Sequence, residues 1–415
     1  MNSKTKAWAV TLAVFLASIA VAANRFKPPP VMQALIADLN VDMVTGGWFM
    51  GVASLAGVAL AIPTAFILTR LGLRLTGIIA LSCTVAGSVL GALAGNAAML
   101  LAGRIIEGFS IGLMAVVAPT AISMWFEPRE RGMPMGLWAT WVPAGNVIMF
   151  NVAHPLLNAF GWQAVWWFGA LLAFVALVTF ALVVREPQRP AAQVQAHRQQ
   201  TASERGAHSA LGAFFRVLLN LPAWLLALSF GLFGFAVIGY NTWAPAFLTE
   251  TLSIPPAAAS FYASLMFLAA IPGNLAAGWA VDRTPRRHLL LTATFVVTGA
   301  MLAWSFGLRT VWIVAPYMHV MGFFSIWIPT ITFTLAPEKV PSIEFAGMGL
   351  AITITCGNLG SLTGPPILAA ALEGGNWPAG SVLIVLAMAA GTLATLAVWW
   401  LARYRPSVPA AAVEA

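Results

Sequence analysis

Four charged residues sit inside otherwise apolar runs: Arg25 and Lys27 in the first run, and Arg104 with Glu107 in the fourth. A charge at the centre of a bilayer costs ~2.5–3.5 kcal/mol on insertion scales, so it persists only if it is paired or lines a wet cavity. Three cations against one anion bias such a cavity towards an anionic solute. Arg104 and Glu107 are three apart and can pair along one helix. In that case Arg104 is structural; the alternative is that a solute or a proton competes for the pair. A guanidinium fork suits a carboxylate or similar planar anion. Glu107 is the embedded carboxyl and hence the leading proton-coupling candidate.

Arg25 and Lys27 precede Pro28-Pro29-Pro30. Prolines lack an N–H, and their rings clash with the carbonyls four residues back. The helix is therefore expected to open across residues 24–30, leaving the carbonyls of Asn24, Arg25 and Phe26 in need of donors. Irregular backbone at membrane depth is tolerated only where it is buried or faces water, which marks this segment as solute-lining. Residues two apart on a regular helix point ~200° apart, so Asn24 and Lys27 share a face and Arg25 and Lys27 do not. Either one base meets solute while the other pairs elsewhere, or the break brings both round. A third reading makes both of them structural.

A second tier is weaker. Tyr240, Asn241 and Trp243 stand just before Pro245 and mirror the first break, offering a hydroxyl, an amide and a ring to a solute. Asn358 is a polar side chain in a Gly- and Pro-rich run that otherwise reads as close packing. His319, and less so His154, could carry protons, although a lone histidine on an apolar helix is more often a packing residue. Trp138, Trp141 and Tyr317 read as interface residues.

The elements that must position these groups follow from the composition. Of 415 residues, 60% are hydrophobic and 8% charged, too few charges for a water-facing surface. Apolar runs place twelve helices at about 7–38, 43–69, 75–95, 97–124, 133–157, 162–184, 222–249, 256–280, 288–306, 310–335, 345–371 and 378–402. The expected fold class is an all-α membrane protein. Its domains are a six-helix bundle over 1–184, a polar linker over 185–221, a second bundle over 222–403 and a tail over 404–415. The net charge of +8 is scattered singly, unlike a nucleic-acid patch. Cys83 and Cys356 lie in apolar segments and form neither a metal nor a disulfide pattern. No nucleophile set or phosphate loop appears, so no enzyme and no cofactor are expected. The lipid bilayer is the partner, and a monomer suffices for function. Lys4, Lys6 and Ala20-Val21-Ala22 imitate a signal peptide, but a first helix with a counterpart in the second half reads as retained.

Lys and Arg gather on one side of the expected helices: Lys4, Lys6, Arg70, Arg74, Arg129, Arg131, the linker arginines, Arg283, Arg286, Arg287, Lys339 and Arg403, against Arg309 on the other. That asymmetry places both termini in the cytoplasm, as a multi-pass protein of a bacterial inner membrane. The halves also repeat: Arg70 and Arg74 recur as Arg283 and Arg287, and Met135-Gly136-Leu137 recurs as Met348-Gly349-Leu350 at the same offset. Duplicated halves enclosing a midplane site are the architecture of an alternating-access carrier.

On these residues the chain resembles the major facilitator superfamily over essentially its whole length. The family's loop Gly-x-x-x-Asp-Arg-x-Gly-Arg-Arg is matched by Gly278, Asp282, Arg283, Arg286 and Arg287. The first copy keeps Arg70, Gly72 and Arg74, with Ala65 and Thr69 in place of Gly and Asp. The resemblance implies gating roles for Arg70, Arg74, Asp282, Arg283 and Arg287. Gly103-Arg104, Gly108 and Gly112 match the family's helix-four pattern. Within the family, paired arginines in helices one and four are similar to organic-anion:cation symporters, and Lys27-Pro28 is similar to cyanate and nitroimidazole porters. Against the symporter pattern, Asn24 stands where an Asp is usual, and Ile111 stands where their helix-four carboxylate falls. The expected function is proton-coupled symport of a small organic anion by rocking of the two bundles. The rival readings are an efflux pump for amphipathic compounds and a receptor that has lost transport.

Overall fold

The computed structural model describes residues 3–60, 63–127, 130–185, 220–340 and 346–404. Apart from their end residues, the expected linker and tail lie outside that set, as do the side chains of Ala65 and Thr69.

The regular elements among the described residues are all helical, and they assemble the twelve-helix fold expected from the apolar runs. In the first half, α1 is Ser3–Arg25 plus Pro28–Asp38, and α2 is Met43–Gly51, Ala53–Leu60 and residues 63–71. Residues 73–92 form α3, set off from α2 at Gly72, whose φ is 77°. Ala97–Trp125 is α4, Gly132–Ala139 with Trp141–Phe160 is α5, and Gln163–Val183 is α6. In the second half α7 is Leu221–Leu252, α8 Pro256–Arg283, α9 Arg287–Trp304, α10 Val311–Ser325 with Trp327–Leu335, α11 Ala346–Leu372 and α12 Trp377–Tyr404. Caps lie where the sequence provides them. Asn96 accepts from the Met99 N–H at 2.9 Å to start α4, and Asp42 accepts from the Thr45 N–H at 2.7 Å to start α2. The Thr45 hydrogen bonds, from side chain and backbone, hold the Asp42 carboxyl below the usual carboxylate range.

One expectation about the repeat is corrected. Helix seven does not share the break of helix one: Leu221–Leu252 runs through Pro245 without interruption. A lone proline deprives a helix of a single intrahelical donor, that for the carbonyl four residues back, whereas Pro28, Pro29 and Pro30 deprive three in succession.

The halves meet along α2 against α11 and α5 against α8. We call the side where α1 begins the near side and the opposite one the far side. In α11, Pro366 lacks the N–H that Leu362 O would accept, and that carbonyl abuts Gly51: a Cβ there would lie 2.2 Å from it. One turn further out, a Cβ on Gly47 would lie 2.6 Å from the Pro366 Cα. Asn151 donates to Ser264 Oγ at 3.2 Å between α5 and α8, and Gln33 donates to Glu250 at 2.6 Å between α1 and α7 at the far rim. Below that rim Phe26, Met50, Phe150, Ala263 and Phe267 form one buried cluster drawn from both halves. Polar contacts within a half are seen at the near side, among them Lys4–Glu130 at 3.0 Å, Arg74 to Ala181 O at 2.7 Å and Arg287–Glu338 at 2.6 Å. The halves are thus drawn together on the far side.

Candidate functional site

The break in α1 falls at Phe26 and Lys27, between Ser3–Arg25 and Pro28–Asp38. In a continuous helix the Asn24 and Arg25 carbonyls would accept from residues 28 and 29, both prolines here. Arg104 of α4 takes the place of those donors: Nη1 donates to Asn24 O at 2.8 Å and Nη2 to Arg25 O at 2.6 Å. Its Nε donates to Phe49 O of α2 at 2.9 Å, and Nη1 also donates to Glu107 Oε2. One guanidinium therefore ties three helices together from a fully buried position. A planar group with five donors can do this; an ammonium cannot reach all four acceptors.

Lys27 turns the other way, into the interior of the first half. Its Nζ donates to Glu107 Oε1 at 2.5 Å and to Ser88 Oγ of α3 at 2.9 Å, and lies 5.0 Å from the Trp166 ring centroid of α6. Ser88 Oγ lies 2.8 Å from Asn24 Oδ1 and 2.7 Å from Glu107 Oε1; its single proton serves one of them at a time. Asn24 Nδ2 donates to Ala20 O at 2.8 Å and to Gly169 O of α6 at 3.0 Å. Gly169 leaves room for that amide, since a Cβ would fall 2.2 Å from Asn24 Oδ1. Glu107 thus serves two cations at once, and neither Lys27 nor Glu107 opens on a cavity: their side chains are 0% and 2% exposed.

Arg25 is the embedded cation left over. It is partly exposed, its Nη2 donates to Ser54 Oγ of α2 at 3.3 Å, and its guanidinium carbon lies 5.6 Å from the Phe26 ring centroid. Ser54 lies one turn from Gly57, and a Cβ on Gly57 would lie 2.8 Å from Asn358 Nδ2 of α11. Arg25, Ser54 and Asn358 therefore gather where the two halves meet. The phenylalanine cluster borders them, with Phe26 against Phe267 at 5.7 Å and Phe150 against Phe267 at 5.5 Å between centroids. This junction offers a cation, small polar groups and ring edges, a set that can hold a compact anion with an apolar body.

The remaining expected residues lie elsewhere. Tyr240 and Trp243 are fully buried inside the second half: the Tyr240 hydroxyl lies 3.6 Å from Met318 Sδ, and the Trp243 Nε1 donates to Pro365 O at 3.0 Å. Asn241 is buried beside them on α7. His319 is exposed on the outer flank of α10, its Nδ1 2.8 Å from Ala315 O, in a groove lined by Leu268, Pro272 and Phe323. His154 is buried on α5, and Tyr317 donates to Met301 O at 2.6 Å. Trp138 donates to Ser18 Oγ at 3.0 Å and stacks on Trp141. At the near side, Asp282, Arg283, Arg287, His288 and Glu338 line a small cleft, with Arg283 4.3 Å from the Trp279 ring. Arg70 and Arg74 are exposed at the end of α2 and start of α3. Ser54, Ser88 and Trp166 were not anticipated. In sequence they are two of many helical serines and one of 17 tryptophans, and only the fold distinguishes them.

Comparisons with known proteins agree with this architecture. The sequence matches the family described as the Major Facilitator Superfamily over residues 14–342 and 228–414. It is 25% identical over 367 residues to the niacin transporter NiaP of Acinetobacter baylyi, covering 81% of each chain. It is 27% identical over 315 residues to the membrane sensor protein UhpC of Salmonella typhimurium, covering 70% of this chain and 68% of that one. Its fold is similar to the inward-open xylose transporter XylE of E. coli, with a TM-score of 0.71 at 16% identity, over 97% and 96% of the two chains.

Proposed function

The chain belongs to the Major Facilitator Superfamily, and on that premise we propose that it is a secondary transporter taking up a small organic anion, a monocarboxylate of about the size of niacin. The observation that carries this reading is Arg25: an embedded guanidinium without a carboxylate partner among the described residues, held at the junction of the halves. Arg104 and Lys27 act as positioning residues. Arg104 holds the α1 break open, and Lys27 pairs with Glu107 in the interior beneath it. Niacin, the solute named for the Acinetobacter relative, is a carboxylate at neutral pH, which fits a lone arginine.

Proton coupling runs through Glu107. Accepting a proton there releases Lys27 and Arg104 from their shared partner, and Arg104 is bonded to the backbone of Arg25 itself. The near side is cytoplasmic by its basic residues. Asp282, Arg283 and Arg287, with Arg70 and Arg74 opposite, act as the near-side gate.

Uptake of labelled nicotinate into proteoliposomes under an imposed pH gradient tests the reading. Arg25→Gln removes a charge-assisted contact worth ~1.5–3 kcal/mol and should weaken uptake about 10- to 100-fold. Uptake indifferent both to Arg25→Gln and to the gradient would overturn it. A second reading, a sensor that binds without flux, is favoured by the UhpC relationship and by Thr69 standing where the repeated loop carries Asp282. Nicotinate binding without uptake would select it.

A further inference from the structure

Asn146 lies in the middle of α5, and both of its side-chain polar atoms are buried with no hydrogen-bond partner among the described residues. Buried polar groups are almost always satisfied, and at membrane depth an asparagine can usually donate to its own helix one turn back. Asn24 does so to Ala20 O at 2.8 Å, and Asn151, on the same helix as Asn146, does so to Val147 O at 2.7 Å. Asn146 does neither. Ser260, Thr298 and Thr332 leave one hydroxyl unpaired, and Trp166, Trp327 and His288 one ring nitrogen; Asn146 leaves a donor and an acceptor together.

Its position is defined by its neighbours. A Cβ on Gly145 would lie 2.6 Å from Ala22 Cβ and 2.7 Å from Ala23 N, so α5 and α1 are in backbone contact there. Asn146 is thus within a turn of Arg25 in depth. Val147, the next residue, and Phe150, four on and therefore on the neighbouring helix face, pack in the cluster with Phe26, Met50 and Phe267. Two residues that follow Asn146 along α5 thus reach the phenylalanine cluster that borders Arg25.

We infer that Asn146 is a solute-binding residue, its amide donating to a heteroatom in the ring of an aromatic carboxylate whose carboxyl group is held by Arg25. The inference rests on the anion reading above and narrows it from any small carboxylate to a heteroaromatic one. The edge-to-face phenylalanines supply the walls for a flat ring, the guanidinium fixes one end of the solute, and Asn146 Nδ2 reads the other.

The test uses the purified full chain and two probes of like shape and charge, nicotinate and benzoate, which differ by the ring nitrogen. Wild type should bind nicotinate ~10-fold more tightly, the worth of one hydrogen bond lost with its partner left buried. Asn146→Ala should abolish that preference while still binding benzoate, Asn146→Gln should keep part of it, and Arg25→Gln should weaken both probes alike. With no internal bond to lose, Asn146→Ala should not lower the unfolding midpoint of the solute-free protein. A preference that survives Asn146→Ala, no preference in wild type, or an Ala variant too unstable to purify would each overturn the inference while leaving the anion reading standing. Binding of neither probe, or binding of both unaffected by Arg25→Gln, would overturn the anion reading and the inference with it.

Discussion

Removing Arg104 should unseat the α1 break, and the loss can be worked from its contacts. Arg104→Ala strips donors from the carbonyls of Asn24, Arg25 and Phe49, while Glu107 keeps Lys27 as a partner. An orphaned buried acceptor costs ~1–3 kcal/mol, but intramembrane hydrogen bonds average nearer ~0.6 kcal/mol, because the unfolded chain in a bilayer finds partners too. Three carbonyls therefore bound the destabilisation between about 2 and 9 kcal/mol. The cause can be isolated by restoring the missing donors: Pro28→Ala with Pro29→Ala supplies N–H groups for two of the three carbonyls. In the Arg104→Ala background that pair should recover part of the stability, and in wild type it should gain little. The assay is a double-mutant cycle of unfolding midpoints in detergent, with nicotinate uptake read in parallel. Uptake should not recover, since a straightened α1 no longer presents Arg25 to the junction. An Arg104→Ala midpoint equal to that of wild type, or additive effects around the cycle, would refute the reasoning.

Glu107→Gln leaves Lys27 and Arg104 buried without their shared counter-charge, a loss of about 3–5 kcal/mol; adding Lys27→Met should return some of it, and the single variant should keep solute exchange but lose gradient-driven accumulation. Gly51→Ala places a methyl 2.2 Å from Leu362 O, which forces α2 from α11, so maleimide should label a Gln33→Cys reporter at the far rim several-fold faster than in the Gly51 protein. Asp42→Ala should cost ~1 kcal/mol through loss of the α2 cap. Because the folded carboxyl titrates below its unfolded value, the stability from its ionisation is present above about pH 4 and fades as pH falls through the folded pKa, a decline that Asp42→Asn, which caps without ionising, should lack.

Much of this protein is legible in the chain alone. Apolar runs of bilayer length fix the helices, because the hydrocarbon core admits few other backbone arrangements. Three successive prolines fix the break, because the donors they lack are a covalent fact, and the shortage of charge makes Arg25, Lys27, Arg104 and Glu107 stand out. The direction of each side chain and the identity of each partner came only with the tertiary structure. Periodicity set Arg25 and Lys27 on opposite faces, but only the approach of α3, α4 and α6 to one of those faces decided that Lys27 is sealed inside the half while Arg25 meets α2 at the junction. The same holds for Tyr240 and Trp243, polar-tipped residues beside a proline that the packing of α7 turns into the second half, and for Asn146, one asparagine among many until the fold leaves it without a partner among the described residues. Sequence determines which groups a membrane must accommodate; the packing of distant helices decides which of them are satisfied by protein and which are left for a solute.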